Sequence, residues 1–153
     1  MLQIHQKTNF KIAIMKTVPL DESKILIYVV DDDVSVRKAL EMLFLSADMN
    51  VQTFKRAEDF LEHKFREENA CLIVDIMLKE QSGFELQKHL AEQGIKIPVI
   101  FLTAFDSKES RQQAQKGGAV GFFRKPVDDQ ALLDTIQWGL SSYSSGVLRQ
   151  QNT

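Results

Sequence analysis

Ile25-Leu-Ile-Tyr-Val-Val-Asp-Asp-Asp33 decides how this chain is read. Residues 25–30 form an unbroken apolar run, which predicts a strand buried on both faces rather than one with a solvated side. Such strands lie in parallel sheets covered by helices. Three carboxylates follow immediately, at what would be the strand's C-terminal end.

Working outward, short apolar runs alternate with amphipathic stretches. Residues 35–46 place Val36, Leu40, Leu43 and Phe44 on one helical face. Residues 50–54 predict a strand, and 57–65 a helix with Phe60 and Leu61 inward. Residues 71–74 predict a buried strand and 83–93 a helix; 98–102 and 107–116 repeat the pair. Residues 120–123 are the fifth strand candidate, and 128–140 close the series with Leu132, Leu133, Ile136 and Leu140 at helical spacing. Five strand–helix pairs predict an α/β protein with a parallel sheet and helices on both faces. Right-handed crossovers and so few units favour a flavodoxin-like doubly wound (βα)5 sheet of five strands, order 2-1-3-4-5.

The 153 residues suit one domain with tails. Three regions are expected: an extension over 1–22 outside the fold, a globular domain over 23–140, and a linker or tail over 141–153 that begins Ser-Ser-Tyr-Ser-Ser-Gly. Met15 offers an alternative start. A formal charge of −2 gives this segment no basic face for nucleic acid. No apolar run approaches the roughly 20 residues of a membrane span, and no signal-peptide pattern opens the chain, so a cytoplasmic protein without membrane contact is expected. Cys71, in an apolar run, reads as a buried thiol.

Sheets of this type bind ligands beyond the carboxyl ends of their strands. The residues there are Asp31, Asp32 and Asp33 after strand one, Asp75 after strand three, Thr103 after strand four and Lys125-Pro126 after strand five. Clustered carboxylates repel one another and invite a hard divalent cation such as Mg²⁺. A lysine and a hydroxyl beside them complete a site for a phosphoryl group. Taken singly, each piece has a plain structural explanation: Asp33 or Ser35 as a helix N-cap, Lys-Pro as a turn. The weight lies in four pieces falling in order, each at the correct end of its own strand.

Val29-Val30-Asp31-Asp32-Asp33, Leu72-Ile73-Val74-Asp75 with Gly83 eight residues on, Leu102-Thr103-Ala104 and Lys125-Pro126 together resemble the receiver domains of bacterial two-component systems. Arg37 and Gly117-Gly118-Ala119 fit the same pattern, and the resemblance covers about residues 24–140. It implies that Asp75 is a phosphoacceptor attacking the phosphohistidine of a sensor histidine kinase. Asp32, Asp75 and the backbone carbonyl of Met77 would ligate Mg²⁺ (Mn²⁺ or Ca²⁺ substituting), with Asp31 acting directly or through water. Thr103 would hydrogen-bond a phosphoryl oxygen, and Lys125 would pair first with Asp75 and then with the phosphoryl group. The Lys125–Pro126 peptide would be cis. Phe122, three residues before Lys125, matches the family's switch aromatic; as a core residue it would be equally ordinary. The readout surface would be the helix from Ser107, strand five and the last helix. Self-phosphorylation from small phosphodonors and slow self-dephosphorylation are implied, not turnover of a substrate.

Val36-Arg37, Ala57-Glu-Asp-Phe-Leu61 and Lys-Pro-Val-Asp-Asp-Gln-Ala-Leu-Leu133 resemble the NarL/FixJ branch, FixJ-type members above all. That implies a phosphorylation-dependent homodimer and DNA contact only through a LuxR-type output domain absent from this chain; a stand-alone receiver is the other possibility. Two positions depart from the pattern. Lys79 stands where proline is usual, which predicts a more mobile loop, and Phe105 replaces a small residue. Rival readings start from the same residues. Val29 through Ser35 also resembles the opening of haloacid-dehalogenase-type phosphatases, with Asp31 as nucleophile and Asp33 as acid/base; only Asp106 is on offer for that family's later acidic pair. An interaction module that is never phosphorylated would have no need of Asp32, Asp75, Thr103 and Lys125. Nucleotide or flavin binding lacks a Gly-rich loop after Val30.

Overall fold

The computed structural model describes residues 21–144. The expectations for residues 1–20 and 145–153 lie outside the described residues. Ten elements alternate: β1 (Leu26–Val30), α1 (Val34–Ser46), β2 (Asn50–Phe54), α2 (Ala57–Glu62), β3 (Ala70–Asp75), α3 (Gly83–Glu92), β4 (Val99–Thr103), α4 (Lys108–Lys116), β5 (Gly121–Arg124) and α5 (Asp129–Ser144). The strands form one parallel sheet in the order β2-β1-β3-β4-β5, the doubly wound arrangement.

Alternation along each strand splits the core into two layers. Tyr28, Val30, Leu72, Val74 and Phe101 face Phe60, Leu86, Leu90 and Ala114 of α2, α3 and α4. Ile27, Val29, Ile73, Ile100 and Leu102 face Leu40 and Phe44 of α1 and Leu132 and Ile136 of α5. Every residue of β1, β3 and β4 is buried, which is why these strands read as continuous apolar runs. Cys71 belongs to the second layer, and burial pushes its thiol up to about 12. Native protein at pH 8 is therefore expected to resist iodoacetamide at this residue, with alkylation following denaturation; rapid labelling of the native chain, read by intact mass, would contradict its burial.

Two element ends differ from the sequence reading. The helix expected over 57–65 stops at Glu62, and His63 is already extended. Leu61 and Phe65 are four apart and mimic a helical pair, but Phe60 and Phe65 are five apart and would leave a helix on different faces. Unwinding lets Phe65 stack on Phe60 (centroids 4.8 Å) and meet Tyr28 edge-on (6.2 Å), while the Arg66 amide donates to the Tyr28 hydroxyl at 2.7 Å.

Residues 141–144, expected to open the linker, belong instead to α5, which runs on through Ser144. Tyr143 is buried and continues the inward stripe of Leu132, Ile136 and Gly139. Gly139 lets α5 lie close on the sheet, since a Cβ there would come within 2.9 Å of Val120 Cγ2. Serine costs a helix only about 0.5 kcal/mol against alanine, and one buried tyrosine outweighs that. At the other boundary, Asn50 Nδ2 donates to the Asp21 carbonyl at 3.0 Å, so residue 21 already touches β2.

Candidate functional site

Register brings the site residues together. Val30 lies level with Val74, which sets Asp31 beside Asp75 just past the paired ends of β1 and β3. Asp75 pairs with Leu102, so Thr103 ends β4 one step further on; Thr103 pairs with Arg124, and the Lys125 amide donates to the Thr103 carbonyl at 2.7 Å. The Lys125–Pro126 peptide is cis. Four separate strands thus deliver their ends to one edge of the sheet.

Asp31 and Asp75 are buried, Asp32 is half-buried, and each can offer a carboxylate oxygen within 4.8 Å of the others. Lys125 Nζ donates to Asp31 Oδ2 and to Asp75 Oδ2, both at 2.8 Å. The second oxygens are also held: Asp33 N donates to Asp31 Oδ1 and Met77 N donates to Asp75 Oδ1, each at 2.9 Å. Burial, partly offset by the hydrogen bond from Lys125, holds the Asp31 carboxyl above the ordinary carboxylate range. Burial also works against the Lys125 ammonium, but its bonds to Asp31 and Asp75 prevail and raise its pKa. One ammonium facing three carboxylates leaves negative charge in excess, and the donor atoms are all hard oxygens. That donor set fits a divalent cation of the Mg²⁺ kind.

Backbone positions are enforced locally. Arg37 Nη1, from the first turn of α1, donates to the Asp31 carbonyl at 2.7 Å. Gly83 lets the start of α3 close on the site: its amide donates to the Ile76 carbonyl at 2.9 Å, and a Cβ there would lie 2.6 Å from the Asp75 carbonyl oxygen. Spacing alone marks Gly83 but says nothing of this contact.

Other site residues do not join the acidic cluster with their side chains. Asp33 is exposed and caps α1, accepting from Ser35 N at 2.9 Å and Ser35 Oγ at 2.6 Å. It therefore serves as a helix cap and is not one of the three clustered carboxylates. Thr103 is buried, yet its hydroxyl donates to the Phe105 carbonyl (2.9 Å) and accepts from the Phe105 amide (3.0 Å). Met77 reaches Asp75 through its amide, with an exposed side chain. Phe122 is half-buried on β5, with the Arg111 guanidinium 5.1 Å from its ring centroid. Phe105 and Lys79 are exposed. Lys79 lines a cavity of about 260 Å³ with Asp32, Arg56 and Glu80. Across that cavity, Arg56 pairs with Glu80 at 3.5 Å and so ties the β2–α2 loop to the β3–α3 loop.

Residues 27–137 match the model of the response regulator receiver domain. Over 115 residues the chain is 39% identical to the transcriptional regulatory protein TdiR of Thauera aromatica, covering 75% of this chain and 51% of that protein. The chain thus spans about half the length of the curated relatives it matches. Among solved structures, response regulator StyR superposes with a TM-score of 0.74 at 41% identity, over 84% of this chain and 63% of that one. FixJ-N superposes with a TM-score of 0.71 at 30% identity, over 77% and 94%. No helix among the described residues is long and apolar enough to cross a membrane.

Proposed function

The chain belongs to the response regulator receiver domain family, and we propose that within it Asp75 is the phosphoacceptor for a sensor histidine kinase. The observation that carries this is the shared ammonium: Lys125 Nζ bridges Asp31 and Asp75 inside a cluster of three carboxylates. In the reaction an Asp75 carboxylate oxygen attacks phosphorus and the P–N bond of the phosphohistidine breaks. The phosphohistidine ring, already protonated on its other nitrogen, takes the P–N electron pair and leaves as neutral imidazole, and Asp75 becomes an acyl phosphate.

Asp31, Asp32, Asp75 and the Met77 carbonyl would hold Mg²⁺, with Mn²⁺ or Ca²⁺ as substitutes. When bound, that ion neutralises charge on the transferring phosphoryl group. The chain's own residues supply the rest. Lys125 exchanges its bond to Asp75 for one to a phosphoryl oxygen, and the Met77 amide keeps the carboxylate oriented. Thr103, at the neighbouring strand end, turns its hydroxyl to a second phosphoryl oxygen and gives up its bonds to Phe105. Phe122 then repacks, and α4, β5 and α5 carry the change outward. Small phosphodonors serve Asp75 in the absence of a kinase, and the acyl phosphate hydrolyses slowly on the same residues.

The test is incubation of the chain with acetyl phosphate, with and without Mg²⁺. One phosphoryl group per chain, formed only with the cation and lost over time, is the expected result. Sustained multiple turnover, or no uptake, would contradict it.

We assign the downstream role from the relatives. The regulator from Thauera aromatica is a transcriptional regulatory protein; the FixJ-type resemblance of the sequence adds that this receiver controls a LuxR-type DNA-binding domain outside these 153 residues. DNA is met only through that domain, and the cytoplasm is where the kinase and the DNA are both within reach. Phosphorylation promotes a homodimer through α4, β5 and α5. In sedimentation, beryllofluoride with Mg²⁺ is expected to convert monomer to dimer, and an unchanged monomer counts against this surface.

A further inference from the structure

The β4–α4 loop is held at both ends. At one end the Thr103 hydroxyl is engaged twice by the backbone of Phe105. At the other, Asp106 is gripped by Arg111: Nε donates to Oδ1 at 2.7 Å and Nη2 donates to Oδ2. The hydrogen bonds from Arg111, above all, hold the Asp106 carboxyl below its ordinary range, with Arg124 adding to the field. The same guanidinium lies over the Phe122 ring, 5.1 Å from its centroid. One side chain of α4 therefore grips the loop through its N–H groups and stands over the aromatic of β5. A planar guanidinium can do both at once, and an ammonium cannot.

Only Ala104, Phe105 and Asp106 separate Thr103 from Ser107, the N-cap of α4. Asp106 directly follows Phe105, so a shift of the Phe105 backbone when Thr103 lets go would be passed straight to Asp106. Displacing Asp106 pulls Arg111, and Arg111 then leaves the ring.

We propose that Arg111 is a positioning residue that couples Thr103 to Phe122, a latch that holds the ring while Asp75 is unmodified and yields when Thr103 turns. This rests on the reading of Asp75 as phosphoacceptor. Contacts of these two kinds at an exposed site bias a two-state equilibrium by roughly two- to tenfold together. A bias of that size is small enough for a bound phosphoryl group to overcome.

The test uses the full chain as wild type, Arg111→Gln and Arg111→Lys, with two readouts. Without ligand, hydrogen exchange in residues 104–111 and 121–124 should rise in both variants, by about the same two- to tenfold. In titrations with beryllofluoride and Mg²⁺, the resting state loses its latch, so half-saturation should fall roughly two- to tenfold. In a Phe122→Leu background the Gln substitution should lose most of that effect, which a merely structural ion pair would not do. Unchanged exchange in either variant overturns the latch. So does wild-type uptake with the same half-saturation in Arg111→Gln, or a Gln effect that persists in full in the Phe122→Leu background. A wild-type chain that takes up no beryllofluoride overturns the reading of Asp75 and the coupling with it, a result distinct from failure of the latch alone.

Discussion

Asp75→Asn is expected to take no phosphoryl group from acetyl phosphate and to lose binding of beryllofluoride. An amide in this place keeps the shape of the carboxylate and can still accept from the Met77 amide, but it has no anionic oxygen to attack phosphorus. The loss should be roughly a thousandfold or more, since a single acceptor atom carries the step. Folding should not suffer. Lys125 keeps its bond to Asp31, and one of three mutually repelling carboxylates is gone. Thermal unfolding is therefore expected at or above the wild-type temperature. Phosphoryl uptake surviving in the variant, measured by intact mass, would remove Asp75 from its role. Lost uptake together with a collapsed melting temperature would mean that the substitution had reported folding rather than chemistry.

Gly83→Ala is expected to have the largest effect on stability, although the change is one methyl group. The added Cβ would stand 2.6 Å from the Asp75 carbonyl oxygen and 3.1 Å from Ile76 Cα. Both obstacles are backbone, so no side chain can rotate out of the way. Either the start of α3 moves off the sheet, breaking the bond from the Gly83 amide to the Ile76 carbonyl, or the end of β3 moves and takes the phosphoacceptor with it. Overpacking of this kind costs about 2–3 kcal/mol, which for a chain of this size lowers the melting temperature by on the order of 5–10 °C. Because Asp75 is the residue pressed upon, affinity for beryllofluoride should fall as well. A variant that melts and binds like the wild type would show that the helix start has room this packing does not contain.

The order of elements was legible because β1, β3 and β4 are buried from end to end and therefore appear as unbroken apolar runs. The acidic cluster and Lys125 were legible for a related reason: once strand ends are known, the residue after each end has only one edge of the sheet to occupy. Thr103 was placed correctly on the chain, but the partner of its hydroxyl is local backbone, which no spacing rule reports. The end of α2 was hidden because Leu61 and Phe65 imitate a helical pair while Phe65 in fact stacks on Phe60. The end of α5 was hidden because serines mark linkers by composition, and a single buried Tyr143 decides otherwise. The grip of Arg111 on Asp106 escapes helical charge rules altogether. The pair is five residues apart, with Asp106 lying ahead of the helix it is tied to.

Borohydride trapping tests the central claim most directly. An aspartyl phosphate is reduced to homoserine, whereas a free carboxylate is not, so the modified position is recorded permanently in the peptide. After incubation with acetyl phosphate and Mg²⁺, reduction, digestion and fragment sequencing, homoserine is predicted at position 75 and nowhere else. Homoserine at position 31 or 32, or its absence from every peptide of a phosphorylated sample, would contradict the account.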